Sequence, residues 1–530
     1  MISEKKKILF FGDKDTDGIS SISILALFFK NIHKGDLLIR NSTVGDDYGL
    51  CESVVKQILT LAPDLLVTLD FGTSNFDEIN FLSSKGIEVI VIDHHEIPKK
   101  IPNCKLINPK REDSIYPEKK ICTAALATKL ILGYLLIEQF QKDNLSDGNL
   151  FSDFNKLYSS QSIPNYLKRF PQIKTEFQSY LSLAAIGTIT DMMPLKGENR
   201  ILVSEGLTSL MQLNSNDTNL FFGLKSLLTS LNLNPKKIVS KDLGWMIGPI
   251  LNAAGRMGQT EIATKLLLSN SKEEAIINTK KITDLNLERR ERTKRNLYRV
   301  EEYFKRKKER VERKIIFCYE PDLEPGVSGI VATKLVETYK RPTIFINPEN
   351  GHGKGSIRSY KSENVLEFLE KVSHLLIHFG GHKEAGGFSI ELKNIPKLEE
   401  ILDSVADEWL DKPVEIIEEK SLISFKASEL GEDIFKQLEV FQPFGLENLE
   451  PLLSIEDAKI INYKPLNDRK HAKFSILGVS PKIKFVIWNK AEDLESLLSK
   501  VSTIQIFGYL EENYFKEKTS IQFVVTKFHA

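Results

Sequence analysis

Three short β-rich runs in the first 95 residues each stop at an acid or an acid-histidine group. Ile8–Phe11 leads through Gly12 to Asp13, Asp15 and Asp17; Leu65–Leu69 ends on Asp70; Ile87–Ile92 ends on Asp93-His94-His95. Between them, Ile19–Lys30 and Phe76–Lys85 have the length and pattern of helices. Strand-helix alternation of this kind gives a parallel sheet with crossover helices. Such sheets bind ligands beyond the carboxyl ends of their strands, where these acids fall. Charge that dense is costly unless neutralised, and divalent cations are the natural neutraliser. The pattern predicts one cation-holding site at the top of a parallel sheet, suited to cutting phosphate esters with two cations.

Tyr180–Leu195 is a further apolar run ending near an acid, Asp191, whereas residues 138–178 are polar and read as an irregular insertion. Residues 276–314 read as one long helix, with Leu297, Val300, Phe304 and Val311 at helical spacing. From Lys280 to Lys314 there are 15 Lys or Arg against 7 Asp or Glu, which predicts a basic face that tracks phosphates. Pairs such as Glu288 with Arg292 fit a merely solvated face instead. A second α/β lobe follows: strands over 315–320, 342–346 and 355–359, a helix over 329–339, and another over 364–378 running into FGGHKEAGG. Beyond about residue 410, HAKFSILGV, KIKFVIW, STIQIFGYL and SIQFVVTKF alternate apolar and polar residues, the pattern of a small antiparallel barrel of the OB type. The domains expected are 1–270, a connecting helix 271–313, 314–410 and 411–530.

A chain of 530 residues is too long for one core. Its 72 basic and 72 acidic residues cancel, so any nucleic-acid surface must be local. The four cysteines form no CxxC pair and read as reduced thiols. The N-terminus lacks a signal-peptide pattern, and the apolar run LILGYLLI at 130–137 is too short for a membrane span. The expectation is a cytoplasmic protein with no membrane partner.

A single Asp after a strand often only caps the next helix. Four run ends carrying acids make a shared site the better reading. Asp15 and Asp17 alternate on a segment taken as extended, so a turn can aim both at neighbouring cations, and Asp70 can bridge two ions. Oxygen-rich ligation with one imidazole favours Mn²⁺ or Mg²⁺ over a structural zinc. On an extended chain His94 and His95 point apart, so one binds metal and the other contacts phosphate. Gly380-Gly381-His382, Gly386-Gly387, Ser356 and Arg358 suit a nucleotide-holding surface, with a plain turn as the alternative for the glycines. Asn252 and Arg256 in LNAAGRMG can serve similarly or simply pack a helix. Phe474, Phe485, Trp488 and Phe507 are candidates for base stacking or for core.

DKDTDG, the isolated Asp70, DHH, Asp191 and GGH, in that order, resemble the DHH phosphoesterase superfamily. GPILNAAGRMG, PGVSGIVATKLVE, GSIRS, FGGHKEAGG and PFGLENLEP make nearly the whole chain similar to the RecJ-type single-strand-specific exonucleases of that superfamily. The resemblance implies a parallel-sheet DHH catalytic domain, a connecting helix, a smaller α/β DHH-associated domain and a C-terminal all-β OB-fold. It implies a processive 5′-to-3′ exonuclease on single-stranded DNA, using two Mn²⁺ or Mg²⁺ ions, in recombination and repair. Carried over by position, the metal ligands are Asp15, Asp17, Asp70, His94 and Asp191, with Asp13 as an auxiliary carboxylate. His95 then contacts the scissile phosphate, and Arg256, Ser356, Arg358 and His382 hold DNA phosphates or the 5′ end.

The chain departs from the pattern at Thr43, where an Arg is usual (Arg40 lies nearby), and at Glu324, where HPGV reads EPGV. PFGxGNPEP also reads PFGLENLEP. The runner-up is a DHH phosphodiesterase for short oligonucleotides or cyclic dinucleotides, which needs only the two α/β lobes; a barrel that tracks several nucleotides argues against it. A non-catalytic DNA-binding scaffold should have lost carboxylates, and this chain has lost none.

Overall fold

The computed structural model describes all residues except 1–3, 44–48, 144–166, 214–220, 321, 350, 362, 411–421, 467–468 and 516–517. Two compact units emerge: residues 1–252, 260–280 and 419–530 form one, and 253–259 with 281–418 the other.

The first unit holds the predicted parallel sheet. Its strands are β1 (Ile8–Gly12), β2 (Leu37–Asn41), β3 (Leu65–Leu69), β4 (Glu88–Ile92) and β5 (Lys105–Ile107). Their order across the sheet is β2-β1-β3-β4-β5. One face packs Leu9, Phe11, Leu66 and Val91 against two helices, Glu52–Leu61 and Phe76–Ser84. On the other face Phe10 meets Phe29 of α1 (Thr16–Ile32), and Phe28 meets Tyr180. Both faces are covered, which is why the strands read as unbroken apolar runs.

The register fixes the site. Gly12 pairs with Leu69, and Leu69 with Ile92. The ladder runs one residue further, with Asp13 N–H donating to Leu69 O, Asp70 N–H to Ile92 O and Asp93 N–H to Ile107 O. Three acids therefore leave three adjacent strands in one row.

The polar stretch from 138 is not wholly irregular. Its described parts include the end of helix α2 (Thr123–Asp143) and the start of the helix Pro171–Thr190. Polar residues such as Lys174 and Glu176 occupy that helix's exposed side, which masks its pattern. Thr123–Lys142 is also long and apolar enough to cross a membrane by length and composition; half of it is buried inside the protein.

The second unit carries a five-stranded sheet. Its strands are β6 (Ile316–Tyr319), β7 (Thr343–Glu349), β8 (His352–Arg358), β9 (Leu376–His382) and β10 (Ala385–Glu391), in the order β6-β7-β8-β10-β9. The helix expected over 364–378 is only Val365–Lys371, followed by a short 3₁₀ turn and then β9. Gly380-Gly381 is not a loop: it lies in β9 and pairs with Gly387-Gly386 of β10.

The long helix is Lys272–Arg306. Its basic face is partly offset by acids from elsewhere in the unit. Arg295 makes two 2.8 Å hydrogen bonds to Glu324, with Arg292 and Arg299 close by. Arg306 faces Glu320, while beyond the helix Arg310 and Arg313 share Glu399 and Lys314 meets Asp407. The predicted phosphate-tracking face is thus less basic than its count suggests, and Glu324 is the anchor of this network.

A seven-stranded sheet closes the chain and belongs to the first unit. The four predicted segments are β14 (Ala472–Ile476), β15 (Ile483–Ile487), β16 (Ile504–Phe515) and β17 (Lys518–His529). β11 (Leu422–Lys426), β12 (Leu452–Ala458) and β13 (Ile460–Pro465) complete it, with the helices Glu432–Glu439 and Ala491–Leu498 beside them. The order is β11-β12-β16-β17-β15-β14-β13. Two pairings, β11 with β12 and β15 with β17, are parallel rather than antiparallel. Phe474 and Phe485 are core residues, while Trp488 remains 44% exposed.

This sheet docks on the parallel-sheet domain. Lys237 binds Glu439 and Glu512, and Lys241 binds Glu450 and Glu511. PFGLENLEP is part of the joint: Leu195 N–H donates to Leu446 O at 2.7 Å, Ser240 to Phe444 O, and Glu447 takes Lys120 and Lys196. Glu447, which stands where the resembled PFGxGNPEP pattern has glycine, has φ 58°. A left-handed L-residue costs about 1–2 kcal/mol, and exposed ion pairs return about 0–1 kcal/mol. Glu447→Gly is therefore expected to equal or exceed the parent in stability. Glu447→Ala keeps the strain, loses the pairs and melts lower. Chemical denaturation of the three proteins checks this order; a Gly variant weaker than the Ala variant contradicts it.

Candidate metal centre and phosphate site

Each acid of the first motif is held differently, and none of them alternates along an extended chain. Asp15 is the N-cap of α1, its carboxylate accepting from Asp17 N–H and Gly18 N–H. Asp17 sits in the first turn and points at the start of α2, accepting from Thr123 N–H at 2.7 Å and Ala124 N–H at 2.9 Å. A Cβ on Gly187 would come within 2.6 Å of Asp17 Oδ1, so only glycine allows this approach. Asp70 stands alone after β3 with φ 69°, a region that Asn and Asp enter more readily than other side chains. Thr123 Oγ1 donates to its Oδ1 at 3.1 Å. Asp191 caps the C-terminal end of the helix Pro171–Thr190 rather than a strand.

Asp93 explains the histidines. Its Oδ1 accepts from His94 N–H, His95 N–H and His95 Nδ1–H, and its Oδ2 accepts from Thr73 N–H. The segment folds round this carboxylate instead of staying extended, and the two rings converge to 4.8 Å between centroids. The expectation that they point apart fails for that reason. His94 Nε2 reaches 3.2 Å from Asp70 Oδ1 and 3.3 Å from Asp191 Oδ2.

Three overlapping triads result: Asp13-Asp15-Asp70, Asp70-His94-His95 and Asp17-His94-Asp191. Within each, ligand atoms lie within 4.8 Å of one another. Asp70 and His94 each belong to two triads, which suits a pair of adjacent cations.

The electrostatics are those of an acid cluster short of positive charge. Burial, then the Asp15 charge, pushes Asp13 and Asp17 up to about 6. Burial followed by the neighbouring carboxylates drives Asp70 and Asp191 well above the ordinary range. Asp191 Oδ2 is buried without a hydrogen bond. Asp93 differs: burial opposes its ionisation, yet the bonds from His95 and Thr73 hold it below the usual range. Burial lowers and Asp93 raises His95, with the net direction upward. Repelling carboxylates with an orphaned oxygen and two imidazoles form a donor set that fits a divalent cation.

The second unit gathers Arg256, Ser356 and Arg358. A Cβ on Gly329 would sit 2.5 Å from Arg358 Nη2 and 3.9 Å from Ser356 Oγ, so the guanidinium lies against the start of the helix Ser328–Tyr339. Such helix starts favour anions. Burial, then the Arg256 charge, lowers Arg358 to about 10. Arg289, missed in the sequence, is lowered by burial and by Arg256, and its Nε is buried without a hydrogen bond. Its only sequence signal was the dense basic run. His382 is exposed and stands two strands from Arg358, across Ala385. Asn252 Oδ1 accepts from Thr16 N–H at 2.9 Å, which ties its helix to the start of α1 and leaves the amide N–H groups as its donors. Arg40 lies over the Phe11 ring.

Models of three domains match the chain: the DHH family N-terminal domain over 7–150, the DHHA1 domain over 312–410 and the RecJ OB domain over 423–527. A single-stranded-DNA-specific exonuclease RecJ of Haemophilus influenzae is 31% identical over 428 residues, 77% of this chain and 67% of that protein. The chain belongs to the RecJ family. The Bacillus subtilis member is 28% identical over 99% of this chain, which spans 61% of its length. The Escherichia coli member is also 28% identical, and the match covers 87% of it. The crystal structure of RecJ from Thermus thermophilus in complex with Mn²⁺ matches with a TM-score of 0.76 at 25% identity, covering 100% of this chain and 70% of that one.

Proposed function

We propose that this chain is a divalent-metal-dependent exonuclease that hydrolyses single-stranded DNA from its 5′ end, in the cytoplasm, during recombination and repair. The observation that carries this reading is the set of interlocked triads at the top of the parallel sheet, in a chain related to RecJ along nearly its whole length. Asp15, Asp17, Asp70, His94 and Asp191 would hold two divalent ions, with Asp70 shared between the ligand groups and Asp13 as an auxiliary carboxylate. Mn²⁺ or Mg²⁺ suits these ligands, and the Thermus relative has been crystallised with each. When bound, such ions activate a water and offset charge on phosphoryl oxygens. His95, oriented by Asp93, contacts the scissile phosphate: Asp93 takes Nδ1–H and favours the doubly protonated ring, whose Nε2–H can donate to a phosphate oxygen. Arg256, Ser356 and Arg358, joined by Arg289, hold the DNA phosphates or the 5′ end, with His382 further along the sheet. The C-terminal OB domain grips the strand beyond.

The test is digestion of end-labelled single- and double-stranded DNA with Mn²⁺ or Mg²⁺. Stepwise shortening of single strands from the 5′ end, abolished by chelator, is expected. Hydrolysis confined to dinucleotides would remove the exonuclease reading.

A further inference from the structure

Trp245 is 80% exposed, a large apolar surface left in water. The two other tryptophans behave differently: Trp409 is 2% exposed with its indole N–H bonded to Asn364 O, and Trp488 is 44% exposed. Trp245 lies in a π-helical turn, Leu243–Ile247, a geometry that recurs at functional positions. Leu243 and Ile247 are buried, so the turn is fixed while its middle faces out.

This turn is built onto the metal centre. Gly244 and Gly248 lie against Ile189 and Thr190, the two residues before Asp191; a Cβ at Gly248 would be 2.3 Å from Thr190 Cγ2. Thr16, between Asp15 and Asp17, donates through Oγ1 to Gly248 O and through N–H to Asn252 Oδ1. Met192, directly after Asp191, is 65% exposed with φ 56°. Two large uncharged side chains therefore stand in water on segments flanking a cluster of carboxylates. Those carboxylates repel phosphate until cations are bound, so a strand held there needs a grip on its bases. An exposed indole supplies one that is indifferent to sequence.

We propose that Trp245 is a base-stacking platform beside the metal centre, holding a nucleotide of single-stranded DNA next to the bond being cut. The inference rests on the exonuclease reading.

Trp245→Ala and Trp245→Phe separate the two ideas. On short oligothymidylates Trp245→Ala is expected to raise KM about tenfold with kcat little changed, and Trp245→Phe to restore most of it. An analogue with abasic sugars keeps the phosphates and lacks the bases; the parent and Trp245→Ala should bind it equally. In the parent, a phosphorothioate-linked oligothymidylate, which resists hydrolysis, should quench tryptophan emission and shield it from acrylamide. Trp245→Phe should lose that response although Trp409 and Trp488 remain. A parent that cuts DNA normally, with Trp245→Ala unchanged in KM, overturns the inference alone. An indole already shielded in the free protein also overturns it, pointing to a second copy on this face. A parent that neither binds nor shortens DNA removes the exonuclease reading, and the inference with it.

Discussion

Asp70→Asn is expected to lose hydrolysis about a thousandfold or more while the protein stays folded. Asp70 belongs to two of the three triads, so neutralising it removes a charged ligand from both groups at once. Loss of several kcal/mol of charge stabilisation at a phosphoryl group corresponds to that factor. The choice of Asn matters. Asp70 has φ 69° and accepts from Thr123 Oγ1. Asn tolerates the left-handed region and keeps an oxygen for Thr123, whereas Ala would add strain and confuse lost chemistry with lost folding. Turnover on labelled single-stranded DNA, calorimetric titration with Mn²⁺ and a thermal melt form the test. Turnover within tenfold of the parent, with unchanged Mn²⁺ stoichiometry, would take Asp70 out of the site.

The row of acids was legible because each strand is a short apolar run ended by a charged residue, and parallel register does the rest. One paired row, Gly12-Leu69-Ile92, carries Asp13, Asp70 and Asp93 to the same level. What stayed illegible depends on contacts distant in sequence. Asp17 finds its partners at Thr123 and Ala124, and Asp191 arrives on a helix whose polar flank hid its pattern. His94 and His95 converge only because Asp93 bends the chain around its own carboxylate. The basic helix was half legible for a similar reason: counting charges along Lys280–Lys314 cannot reveal Glu324, Glu399 and Asp407, which fold back onto it, or single out Arg289 beside Arg256. PFGLENLEP stood out only as a motif of the resemblance, because its role as a joint requires knowing where Leu195 and Lys196 lie.

Removing the metal is expected to destabilise the first unit, and to do so more at pH 7.5 than at pH 5. Asp13 and Asp17 are pushed up to about 6 from an ordinary 3.8, first by burial and then by Asp15. Groups raised in the folded state bind more protons there than in the unfolded chain. The stability they contribute is present below about 3.8 and is lost as pH rises through about 6. At pH 7.5 the metal-free centre therefore carries the repulsion of ionised Asp13 and Asp17, and a divalent cation relieves it. Below about 6 protons occupy the same carboxylates and compete with the cation. Free Mn²⁺ at a hundred times its dissociation constant stabilises by about 2.7 kcal/mol where that competition is absent. Melting curves with Mn²⁺ and with chelator at pH 5, 6 and 7.5 give the comparison. The Mn²⁺-induced shift should be largest at pH 7.5 and shrink through pH 6, with protons released on binding near that pH. A shift of equal size at all three values would mean that the cation binds somewhere other than these buried carboxylates.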